Sequence, residues 1–247
     1  MTATPELNGQ CIVVTGASRG IGRAISLTLA AAGAHVVLGA RSEPAAQTVA
    51  NEIESHGGRA VAVRADITSQ VDTEQLAAAA VEAFGRIDVL VANAGMESSA
   101  TLMKSDPSEW IATVTTNLVG SYLSARAVLP QMKEQGSGQV LFVGSGMGHS
   151  KAFGRSAYGA SKAGLSHLAG VLSQEMWRYG INVNELVPGP VATDMTRGRW
   201  TLGEVPAELP SERVKPAVEV AEFVRSILCL GAGGPTGQVF SLARRPL

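Results

Sequence analysis

Two side chains able to move a proton stand one helical turn apart in Tyr158-Gly159-Ala160-Ser161-Lys162. Residues at i and i+4 share one face of a helix. With three tyrosines and five lysines in 247 residues, a chance pair at this offset is expected roughly 0.06 times. A free phenol has a pKa of about 10 and is a poor base at neutral pH. A neighbouring ammonium favours the phenolate and lowers that value, toward the range useful in general acid–base catalysis. Carbonyl reduction needs such a group: a proton reaches oxygen while hydride reaches carbon. Tyr158 would be the donor, and the base in the reverse direction. Ser145, ending an apolar run upstream, offers a hydroxyl to an oxygen on which charge develops.

A second feature could hold an anion. Thr15-Gly16-Ala17-Ser18-Arg19-Gly20-Ile21-Gly22 follows a short apolar run and opens an amphipathic segment whose stripe is Ile21, Ala24, Ile25, Thr28, Leu29 and Ala32. Gly16 allows a sharp turn, Gly20 a close approach of backbone N–H groups to a pyrophosphate, and Gly22 close helix–strand packing. The helix N-terminus then faces the anion.

The elements that must carry these groups are visible as alternation. Short apolar runs at residues 11–15, 35–39, 60–64, 87–91, 139–144, 181–187 and 238–242 are nearly continuous, as expected of strands buried on both faces. Between them lie helical patterns: one opening at Ser42 and Pro44, and others at residues 69–84, 106–134, 157–179 and 217–230. This order predicts an α/β fold: one doubly wound Rossmann-type domain over residues 1–247, with a seven-stranded parallel sheet and helices on both faces. Ser145 would then lie at the carboxyl edge of the sheet, where such folds bind ligands. Residues 195–215 lack periodicity, and a loop this long reads as a lid over a site.

Composition narrows the function further. Twenty basic against 21 acidic residues leave a net charge of −1, which excludes a strong electrostatic footprint for nucleic acid. The longest uncharged stretch, residues 24–40, switches from helical to strand pattern midway and is rejected as a membrane span. The N-terminus has neither a basic start nor an apolar signal core, so a cytoplasmic protein is expected. Cys11 and Cys229 stand outside any metal-like spacing, and no metal is expected.

The spacing Thr-Gly-x-x-x-Gly-x-Gly resembles the short-chain dehydrogenase/reductase family, and the resemblance extends along nearly the whole chain. It implies a nicotinamide cofactor held by the loop residues Gly16, Ser18, Arg19, Gly20, Ile21 and Gly22, by the adenine-contacting pair Asp66-Ile67, and by Asn93-Ala94-Gly95 lining the cleft. Asn93 reads as structural first. Lys162 would also bond the nicotinamide ribose, and Pro188, Gly189, Val191 and Thr193 would hold the carboxamide. Relatives that bind NAD carry an acid at the end of the second strand; Ala40 stands there here, followed by Arg41. An arginine can pair with a 2′-phosphate, which implies NADP(H). Asn117 would complete an Asn–Ser–Tyr–Lys tetrad by anchoring a water for a proton relay. The implied activity is NADPH-dependent reduction of a carbonyl of a small organic substrate. One alternative is 3-oxoacyl-thioester reduction with an acyl-carrier partner; another is a non-catalytic NADP(H)-binding sensor or scaffold. A dimer or tetramer through the long helices is implied as well. Gly144 and the tail Ser241-Leu242-Ala243-Arg244-Arg245-Pro246-Leu247 depart from many relatives. Glu97, Met147, His149, Phe153 and Trp200 could line the substrate pocket; His149 reads more readily as solvated.

Overall fold

A computed structural model describes residues 7–245 and 247. In chain order it runs β1 (Cys11–Thr15), α1 (Gly20–Ala31), β2 (His35–Ala40), α2 (Glu43–Ser55), β3 (Arg59–Arg64), α3 (Gln70–Phe84) and β4 (Val89–Ala92). It continues through α4 (Pro107–Val114), α5 (Gly120–Gln135), β5 (Gly138–Val143), α6 (Gly146–His149), α7 (Ser156–Met176) and β6 (Ile181–Val187). The last elements are β7 (Val191–Ala192), β8 (Lys215–Pro216), α8 (Ala217–Leu228) and β9 (Val239–Ser241).

Seven strands form one sheet in the order β3-β2-β1-β4-β5-β6-β9, and every pairing is parallel. Side chains of a strand alternate between faces, so each face needs its own cover. Ile12 and Val14 of β1, with Val36 and Leu38 of β2, pack against Ile25 and Leu29 of α1 and Val220 and Val224 of α8. Cys11, Val13 and Val37 point the other way, toward Leu76 of α3, Val128 of α5 and Leu165 of α7. Fully burying each large aliphatic chain contributes about 1.5–3 kcal/mol, so the two apolar layers hold the helices on the sheet. Burial and the Asp88 carboxylate push the Cys11 thiol up to about 12, which keeps it protonated.

From β3 the chain crosses back to β4 on the far side of β1, so the strand order reverses between β1 and β4. That reversal opens a crevice at the carboxyl ends of the two strands, the place where sheets of this kind bind ligands.

Several expectations change. The helix expected over residues 106–134 is divided by a π turn at Thr115–Val119. Such turns insert a residue into the helical ladder and occur often at functional sites; the β-branched Thr115 and Thr116 and the poor helix former Asn117 lie in it. β4 begins at Val89 because the Gln135 side chain occupies both backbone groups of Ile87, accepting from its N–H at 2.9 Å and donating to its carbonyl at 2.8 Å. Within the aperiodic stretch at 195–215, the end pairs with the chain after β6: Lys215–Pro216 forms a two-stranded parallel sheet with Val191–Ala192.

Gly22 carries a stability prediction. A Cβ there would lie 2.3 Å from the Gly16 carbonyl oxygen and 2.5 Å from Asn93 Nδ2. Gly22→Ala is expected to lower the unfolding free energy by about 1–3 kcal/mol, read as a lower urea midpoint.

Candidate active site

The crevice is stitched shut at its base. The Thr15 hydroxyl accepts the backbone N–H groups of Asn93 and Ala94, both at 3.1 Å. Asn93 Nδ2 donates to the carbonyls of Thr15 at 3.0 Å and Gly16 at 3.4 Å. Asn93 is therefore a tie between β1 and β4. Gly16 has φ +66°, and a Cβ on it would meet the Ala94 Cα at 2.8 Å. Gly95 sits as closely on Asn117, 3.0 Å from its Oδ1 by the same measure.

Above this base, α1 begins at Gly20 with no side-chain cap and no acid in its first turn. Its first N–H groups carry a partial positive charge without a partner of the chain's own. Ser18 and Ile21 flank them, half-buried. Thr193 lies across the opening, its Cγ2 3.5 Å from where a Gly20 Cβ would stand. A cradle of small residues facing an uncapped helix terminus fits a dinucleotide pyrophosphate.

At the adenosine end, Ala40 is buried at the tip of β2 and Arg41 is exposed. Among the described residues Arg41 has no ion-pair partner. Arg64, paired in register with Ala40, is held by Asp72 at 3.0 Å. Arg19 leans toward Asp194 at 3.9 Å. Asp66 uses one carboxylate oxygen on the N–H and hydroxyl of Thr68, at 2.9 and 2.8 Å. Ile67 is buried beneath Gly120.

The proton-moving groups meet at the carboxyl end of β5. Ser145 caps α6, its Oγ accepting the Met147 N–H at 3.2 Å. Its hydroxyl is near enough to Tyr158 to favour the phenolate. Tyr158 and Lys162 lie on one face of α7, with Lys162 Nζ 5.8 Å from the tyrosine ring centre. The Lys162 ammonium has a second neighbour besides the phenol. Its Nζ donates to the Val143 carbonyl at 2.7 Å and is held on the strand edge. Burial pushes Tyr158 up to about 12; Ser145, and more weakly Arg155 and Arg199, pull it down, while Glu97 adds to the rise. Burial pushes Lys162 down to about 8, against the opposing charge of Glu185. The tyrosine is thus protonated at neutral pH, the form that donates to a developing alkoxide.

Asn117 is fully buried in the π turn. Its Oδ1 accepts the Met96 N–H at 2.8 Å, and its Nδ2 donates to the Met96 carbonyl at 2.9 Å and to Ser161 Oγ at 3.0 Å. The side chain therefore clips the loop after β4 to the catalytic helix. Both amide hydrogens are engaged, and the backbone carbonyl already accepts the Ser121 hydroxyl at 2.8 Å. Asn117 thus has a structural role in holding these two elements together.

The segment after β6 comes over the same opening. Gly189 turns with φ +68°, and Val191 pairs with Lys215. The Thr193 N–H bonds Thr196 Oγ1 at 3.0 Å.

Three charged groupings around the site were not foreseen. Glu97 pairs with Arg155, next to α7, and with Arg199 of the 195–215 segment at 3.0 Å. Glu212, fully buried, lies 3.7 Å from Lys215 and 3.6 Å from the half-buried tail residue Arg245. His149, in the short helix α6 and not in a solvated loop, contacts both carboxylate oxygens of Glu185 at 3.1 Å. One signal was available: Glu185 interrupts an otherwise uncharged strand.

Comparison with known proteins agrees with this geometry. Residues 10–201 match the short chain dehydrogenase family. The chain belongs to that family. A 3-oxoacyl-[acyl-carrier-protein] reductase of Synechocystis sp. is 37% identical over 238 residues, 96% of each chain. An L-rhamnose 1-dehydrogenase (NAD(P)(+)) of Azotobacter vinelandii is 37% identical, with 90% of this chain and 95% of that one aligned. The crystal structure of levodione reductase superposes with a TM-score of 0.87 at 28% identity, covering 96% of this chain and 97% of that one. This short-chain dehydrogenase is accordingly an oxidoreductase using a nicotinamide cofactor. Among its described residues no helix is long and apolar enough to cross a membrane.

The Glu97 grouping ties the 195–215 segment down. Glu97→Ala is expected to speed tryptic cleavage after Arg197 and Arg199 several-fold while the melting temperature moves little, measured by limited proteolysis and thermal denaturation.

Proposed function

We propose that this short-chain dehydrogenase reduces the carbonyl of a small organic substrate with NADPH, and runs in reverse as an alcohol dehydrogenase. The observation that carries the reading is the convergence of Ser145, Tyr158 and Lys162 at the crevice whose other wall is the open N-terminus of α1. Gly16, Gly20 and Gly22 leave room there for a pyrophosphate, and Arg41, unpaired where an acid would select NAD, supports preference for the 2′-phosphate. The bound nicotinamide supplies the hydride that reaches the carbonyl carbon.

The residues of the chain handle the oxygen. Ser145 donates a hydrogen bond to the carbonyl oxygen and strengthens it as negative charge builds. Tyr158 delivers its proton to that oxygen. The phenolate left behind feels the charges of Arg155 and Arg199. Lys162, held on Val143, restores the proton. Arg199, bonded to Glu97, keeps residues 195–215 over the pocket and limits water.

The chain acts as one domain, with 195–215 as its cover. The exposed apolar side chains Tyr122 of α5 and Val171 of α7 support a dimer or tetramer through these helices. A cytoplasmic location completes the reading and accords with a buried, protonated Cys11 thiol. A second reading, reduction of a 3-oxoacyl thioester on a carrier protein, is favoured by the relatives that bear that name. Comparing kcat/KM for a carrier-linked and a free ketone separates the two.

Tyr158→Phe is expected to lower kcat by about 10²–10⁴-fold while NADPH still binds, as followed by nucleotide fluorescence. Near-normal turnover would overturn the role. Arg41→Ala is expected to weaken NADPH binding by about 10-fold or more and leave NADH unchanged. Equal affinity of the unaltered protein for both would overturn the cofactor preference.

A further inference from the structure

β6 is buried along its whole length and carries one acid, Glu185, 1% exposed. A buried carboxylate is costly unless it is paired and hydrogen-bonded. Its nearest partner is His149 Nε2, 3.1 Å from each oxygen. The carboxylate also presses on the backbone of the neighbouring strand end: a Cβ on Gly144 would lie 1.9 Å from Glu185 Oε1. Glycine at 144 is therefore what makes room for the acid. The carbonyl of the preceding residue, Val143, is the one that Lys162 Nζ binds at 2.7 Å. The acid and the lysine thus reach the same strand end, with Ser145 next in the chain.

We infer that Glu185 is a positioning residue for Lys162, a buried negative charge, steadied by His149, that keeps the lysine an ammonium on the Val143 carbonyl. The inference rests on the proposed role of Lys162 beside Tyr158. Burial of Lys162 favours its neutral form, and Glu185 works against this. The titratable groups facing Lys162 are Tyr158 on its own helix and Glu185 on β6, with His149 on α6 behind Glu185. β5, β9 and the π turn carry none, and Glu109 of α4 is exposed. The sign follows. Removing an anion near a cation lowers the pKa of the cation, so the lysine of a Glu185→Gln variant loses its proton at lower pH. Carbonyl reduction needs the ammonium to return the proton to Tyr158, so activity fails earlier as pH rises.

The test is the pH profile of kcat/KM for carbonyl reduction. In Glu185→Gln the basic limb is expected to move down by about one pH unit, and in Glu185→Asp, which keeps the charge, to stay near its original place. The Lys162 Nζ resonance, followed by NMR in 15N-lysine-labelled protein without turnover, is expected to show the same displacement. An unmoved limb and an unmoved resonance in folded Glu185→Gln overturn the inference. If that variant fails to fold, His149→Gln decides: a Lys162 resonance displaced from its titration in the unaltered protein supports the coupling, and an unmoved one refutes it. A fully active Tyr158→Phe would instead sink the site assignment, whereas an inactive one with an unmoved Glu185→Gln limb would sink only the role of Glu185.

Discussion

Gly22 places the first turn of α1 directly on the Gly16 carbonyl, and Asn93 reaches across from β4 to hold that same carbonyl and its neighbour. This close approach of three backbone segments is the constraint from which the rest of the site follows. It brings the α1 N-terminus to the crevice between β1 and β4. It also seats Gly95 against Asn117, whose amide clips the loop after β4 to α7. The glycine cradle and α7 are therefore parts of one packed unit. Side chains at the two glycines would separate them, because nothing between Gly22 and Gly16 can yield except backbone.

Around that unit the charges are arranged in pairs that the apolar core by itself does not require. Glu97 joins the α7 entrance to the covering segment. Glu212 gathers Lys215 and the tail residue Arg245 behind Gly189. Glu185 lies under the strand end that holds Lys162. Each acid is largely shielded from water, where removing one partner costs more than an exposed pair contributes. The strands set where Tyr158 and Lys162 stand and how deeply they are buried, and Glu97 and Glu185 add to the field in which they titrate.

The protonation of Tyr158 shows how that field matters. One helical turn between a phenol and an ammonium suggests that one tunes the other. In the folded chain the ammonium also binds the Val143 carbonyl, burial raises the phenol, and Ser145, Arg155 and Arg199 work against that rise. Helical spacing says which residues share a face, and the hydrogen-bond acceptors nearby decide where a lysine points.

The chain order of strands and helices, the glycine loop and the Tyr158–Lys162 pair were legible in the residues alone, because burial on two faces and close backbone approach restrict which side chains can occupy a position. The structural reading of Asn93 came from the family resemblance. The π turn at Asn117 was only hinted at by the Thr-Thr-Asn run, and His149 read as solvated. The pairings of Glu97, Glu185 and Glu212 left little trace, since a charged residue names no partner until the fold brings one near: Glu185 and His149 are 36 positions apart, and Glu97 and Arg199 are 102 apart. Local sequence determined the elements and the chemistry they could carry. The tertiary structure decided which charges face one another, because electrostatic contact depends on distance in space and burial, and neither is written at any single position.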